Sequence, residues 1–105
     1  MRSIATIVCS TLLVAASGAV LAGGDAAAGK TKAATCGGCH GANGISAAPD
    51  VNPSLAGMDE ASLVVAIKEY QDGTRDHATM KVMVMSLSDE DIADIAAFYA
   101  SQPAE

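Results

Sequence analysis

The sequence predicts an all-α fold on three observations: apolar residues recur at helical spacing in two segments, polar caps open those segments, and no stretch alternates with the period of a strand. At 105 residues the chain has room for one ordinary domain, and 50% of it is apolar, which suits a folded globule. Large core-filling side chains are scarce, with one Phe, two Tyr and no Trp. Domains this small bury a modest share of their surface and commonly rely on a disulfide, a metal or another staple.

Residues 1–22 read as an export signal: Arg2 gives a positive start, Ile4 to Val20 is a run of apolar and small residues, and Val20-Leu21-Ala22 offers a small-residue cleavage site. The domain then spans residues 23–105. The apolar run falls short of the ~20 strongly apolar residues that a membrane span needs, so no stable membrane insertion is expected once the signal is removed. Cys9 leaves with the signal, and Cys36 and Cys39 remain as the only mature cysteines. Loss of Arg2 leaves five basic against twelve acidic side chains, a net charge of −7. That charge argues against nucleic acid as a partner and would speed encounter with a basic patch on another protein.

Asp25 is placed to cap a short helix that ends at the cysteine pair. Gly29 interrupts it at a cost of about 1 kcal/mol relative to Ala, tolerable where a second helix must approach the backbone closely. The 17 residues from Gly41 to Gly57 carry Gly41, Gly44, Pro49, Pro53 and Gly57 and read as a loop. A connection this long is expected to wrap something. Asp59 caps the next helix, whose apolar face is Leu63, Ala66, Ile67 and Tyr70, with Met58 as a staple to Leu63 and Gly73 placed to end it. The last helix is the best marked: Ser88 as cap, Asp91 in the capping-box position, Leu87 stapling to Ile92, three acids facing the helix dipole, and Pro103 as the stop. Its buried stripe is Ile92, Ile95, Ala96 and Tyr99.

The chemistry sits in Cys36-Gly37-Gly38-Cys39-His40. Two cysteines separated by two residues and followed at once by histidine form the attachment signature of a c-type haem: two thioethers fix the porphyrin and the histidine ligates iron. One covalently attached haem c is therefore expected, and a flat apolar group would also serve as the missing staple. A plain disulfide or a thioredoxin-like dithiol is the plainer reading, but the latter should follow a strand in a βαβ unit, and none is indicated. A zinc site would need two further ligands, and His77 alone does not complete one. On the opposite face of the iron, Met80, Met83 and Met85 are candidate soft ligands and His77 is a competing one. The residues by themselves leave that choice open.

From Gly24-Asp25-Ala26-Ala27-Ala28-Gly29-Lys30 through Ser88-Asp89-Glu90-Asp91-Ile92, the chain resembles the class I bacterial cytochromes c. The likeness covers nearly all of the mature sequence. It implies the class I cytochrome c fold: short helices and a long loop wrapped around one covalently bound haem, with the first and last helices crossing near it. In this family the ligand methionine lies eight residues before the cap serine of the last helix, which implies Met80 as the partner of His40. The Pro53-Ser54-Leu55-Ala56-Gly57 segment resembles the family's Pro-x-Leu-x-Gly, implying that Pro53 offers its carbonyl to the His40 ring. At Lys81, Val82 and Met83 many relatives carry smaller residues, so the ligand loop is bulkier here. The resemblance implies a periplasmic carrier of single electrons, not an enzyme, exchanging them with redox protein partners. Gly44-Ile45-Ser46-Ala47-Ala48-Pro49 and Leu55-Ala56-Gly57-Met58 are also similar to the haem subunit of flavocytochrome c sulfide dehydrogenase, which implies the alternative of a cytochrome subunit bound to a flavoprotein.

Overall fold

A computed structural model describes residues 23–104. The export signal predicted for residues 1–22 lies outside them. The order is α1 (Ala26–Lys32), α2 (Gly37–His40), α3 (Glu60–Asp72), α4 (Ala78–Val84) and α5 (Asp89–Ser101), with no strand among the described residues. None of these helices is long and apolar enough to cross a membrane.

The caps read from the sequence form as drawn. Asp25 accepts from the Ala27 and Ala28 N–H groups, Asp59 accepts from Ser62 N–H, and Ser88 and Asp91 close a reciprocal capping box. Gly73 ends α3 at φ 87°, in the left-handed region that a residue with a side chain avoids.

α1 and α5 make the most extensive packing in the molecule, and α3 lies against α5 and α4. The crossing of α1 on α5 needs Gly29, because a Cβ there would run into the Asp94 carbonyl and the Phe98 side chain. Polar contacts lock the same crossing. Asp94, only 5% exposed, accepts from Asp25 N–H at 2.7 Å and from Lys32 Nζ at 2.6 Å, and Lys32 also reaches Asp91 at 3.0 Å.

Ile92, Ile95 and Tyr99 on α5 are the largest fully buried side chains, joined by Leu63, Ala33 and Phe98. Each such large side chain stabilises the fold by roughly 1.5–3 kcal/mol on burial. Phe98 and Tyr99 sit as a tilted pair, ring centroids 5.1 Å apart.

In two places the structure departs from the sequence reading. α1 stops at Lys32, and Ala34 N–H bonds to Thr31 O at 3.2 Å, a tighter turn than the α-helix allows, which swings the chain toward Cys36 before α2 begins. The segment between α3 and α5 also holds a helix of its own, α4. Its cap is His77, extended at φ −156°, whose Nδ1 accepts from Met80 N–H at 3.2 Å. Histidine is not among the favoured cap residues, so the sequence gives little notice of it.

Candidate haem site

α2 is a single turn, and its end fixes His40. Gly41, at φ 89°, turns the chain sharply after it, where a Cβ would collide with the Ile45 carbonyl. The loop from Gly41 then folds back on itself, with Leu55 and Ala56 N–H both donating to Gly44 O at 2.7 and 3.0 Å. Gly44, at φ 82°, lies against the Tyr99 ring, and Gly57 N–H donates to Tyr99 O at 2.9 Å. The long loop is thereby pinned to α5 at both of its ends.

This fold-back brings Pro53 O to 2.7 Å from His40 Nδ1. A carbonyl oxygen only accepts, so Nδ1 carries the proton and Nε2 is the ring nitrogen left to coordinate. The His40 ring is buried, at 8% exposure.

Cys36, His40, Pro53 and Met80 all line one cavity of about 300 Å³. Its walls are apolar: Leu63, Ala66, Ile67 and Tyr70 from α3, which is the face read from the sequence, with Val84 from α4, Leu87 from the link after it, and Ile95, Ala96 and Tyr99 from α5. Among the described residues, Arg75 is the only permanently charged one in the lining. Its guanidinium bonds Glu69 Oε1 at 3.0 Å and lies 5.8 Å from the centre of the Tyr70 ring.

Cys39 is exposed, one turn from Cys36, which is half-buried, and no disulfide joins the two. Burial pushes the Cys36 thiol above its ordinary pKa, opposed by its own backbone and by the Tyr99 hydroxyl.

Of the candidate ligands opposite His40, the structure brings only Met80 to the cavity. Met83 and Met85 are 42% and 62% exposed and line no part of it, and His77 spends Nδ1 on the α4 cap and its ring edge on Tyr70 at 6.2 Å. No group of three or more His, Cys, Asp or Glu side chains able to hold a metal ion occurs among the described residues.

The sequence reading missed a contact between α3 and the helix that carries Met80. Gln71 Nε2 donates to Val84 O at 2.8 Å and Leu87 O at 3.0 Å, so a side chain of α3 satisfies one carbonyl at the end of α4 and one in the link to α5. A lone, half-buried Gln near the end of a helix carries no sequence signal for such a role.

The cytochrome c family model matches residues 26–102. Cytochrome c4 of Pseudomonas aeruginosa is 48% identical over 91 residues, which cover 87% of this chain and 45% of that protein. Cytochrome c-554(548) of Halomonas halodenitrificans is 51% identical over 82 residues, covering 75% of this chain and 98% of that one. A solved structure of reduced recombinant cytochrome c4 from Pseudomonas stutzeri superimposes with a TM-score of 0.71 at 40% identity, covering 76% of this chain and 46% of that chain. The chain thus spans about half the length of the cytochrome c4 relatives it matches.

Proposed function

The chain belongs to the cytochrome c family, whose members bind haem c covalently, and from that premise we propose that it carries one electron at a time on a single haem. In this reading Cys36 and Cys39 hold the porphyrin by thioethers, and His40 and Met80 are the axial ligands. One observation carries it: Cys36, His40 and Met80 converge on one apolar cavity, with Pro53 O 2.7 Å from His40 Nδ1. The residues suit such a group, because the walls are apolar, the Cys36 thiol lines them, and Arg75, already paired with Glu69, adds a positive charge near a porphyrin that carries two carboxylates.

When bound, the haem supplies an iron that alternates between ferrous and ferric. The chain's own residues set how readily it does so. Pro53 accepts from the His40 ring, which fixes its orientation and makes Nε2 a better base. Met80 offers a soft thioether sulfur that favours the ferrous form, and the apolar walls keep water away. Were His40 and Met80 both to hold the iron, no position would be left for a substrate, and the role would be transfer rather than transformation.

The chain is proposed to work as an exported, periplasmic protein after removal of residues 1–22, meeting redox proteins through brief contacts of small area. A flavoprotein that co-purified in equal amount would instead make it an enzyme subunit. The ligand assignment is tested by the spectrum of the oxidised protein beside Met80→Ala. Loss of the sulfur-to-iron charge-transfer band is expected, and its survival would move the ligand to Met83 or Met85.

A further inference from the structure

Tyr99 is 1% exposed, and its hydroxyl has no hydrogen-bond partner among the described residues. Burying a phenol without a partner costs free energy that a phenylalanine would not, and Phe98 beside it shows that this core accepts a ring without an oxygen. Tyr99 and Cys36 both line the cavity. Cys36 in turn packs against the core cluster that contains Tyr99. The phenol and the sulfur therefore share one stretch of the cavity wall, without the alignment of a formed hydrogen bond.

Attachment changes what that sulfur can do. In the addition the S–H bond breaks, sulfur bonds to one carbon of a vinyl group, and the hydrogen goes to the other, with no oxidant or reductant required. A free thiol both donates and accepts, whereas the resulting thioether keeps only its lone pairs. The phenol is then the only possible donor of the two.

We infer that Tyr99 is a positioning residue for the attached porphyrin: its O–H points at the Cys36 sulfur, holds that thioether against the wall, and lays the positive end of its dipole along the porphyrin edge, favouring the ferrous state. The inference rests on haem attachment at Cys36, and it assigns the phenol a function that packing alone would not require.

The test uses the full haem-loaded chain and its Tyr99→Phe variant, compared by mass, equilibrium midpoint potential and thermal unfolding. The variant is expected to keep the mass of polypeptide plus one haem and to show a midpoint potential displaced downward. An unchanged potential with equal or higher thermal stability overturns the inference and leaves Tyr99 a core residue only. A colourless wild-type protein, by contrast, would defeat the haem reading itself. Should Tyr99→Phe fail to accumulate, 3-fluorotyrosine incorporated into a Tyr70→Phe background, where Tyr99 is the sole tyrosine, takes its place. The more acidic phenol donates more strongly, so the potential should rise against the same variant carrying ordinary tyrosine, and no rise overturns the inference.

Discussion

Lys32 reaches from α1 to two carboxylates of α5, and only one of these, Asp94, is buried. The Lys32 hydrogen bond, followed by that of Asp25 N–H, holds the Asp94 carboxyl below its usual value, while Asp94 and Asp91 raise Lys32. A carboxylate depressed by folding contributes stability above its unfolded pKa of about 3.9 and loses it as pH falls through the folded value. The raised ammonium contributes fully below about pH 10.4 and loses its share as pH climbs through its own folded value. Asp94→Asn is therefore expected to lower the thermal midpoint at neutral pH, and the gap from wild type should close in strong acid. A pH series of melting curves checks it, and a gap that stayed constant into acid would contradict the ion-pair account. Asp94 interrupts an apolar stripe in the sequence, but nothing local announces its two partners, which come from residues 62 and 69 positions away. Local chemistry such as the Asp25 and Ser88 caps was legible for the opposite reason: donor and acceptor lie within three residues.

At the scale of elements, the helical faces were legible because burial follows periodicity. All four residues of the α3 face line the cavity, and all four of the α5 stripe are buried. α4 was not, since its cap is a histidine and its hold on α3 runs through Gln71. Gln71→Ala strips a donor from the carbonyls of Val84, at the end of α4, and Leu87, in the link after it, a loss expected to cost about 1–3 kcal/mol. Chemical denaturation reads that cost directly. A second readout is the sulfur-to-iron band, which should fade at lower temperature than in wild type if α4 carries the ligand. Gly29→Ala forces the α1–α5 crossing apart and is expected to cost roughly 1–3 kcal/mol, the usual toll of overpacking. An unchanged denaturation midpoint would show that the two helices have slack the close approach at Gly29 does not suggest.

The whole molecule is acidic, with a formal charge of −6 over 105 residues. Electron exchange with a basic partner protein should accordingly slow as salt is raised over the range where screening shortens to about 8 Å, and stopped-flow rates at several ionic strengths check this. The motif at residues 36–40 stands out by spacing alone, yet which of the candidate methionines reaches the cavity depends on how the helices assemble, and spacing alone left that open. The cavity has one more consequence. Leu63, Ile67, Ile95 and Tyr99 each line it as well as packing on one another, so a flat apolar group seated there would add to their hold on the fold. The double variant Cys36→Ala, Cys39→Ala, deprived of its pigment, should keep much of its helical dichroism while losing fixed side-chain packing and gaining an affinity for apolar dyes. Pigment capture and acquisition of that packing would then be a single event.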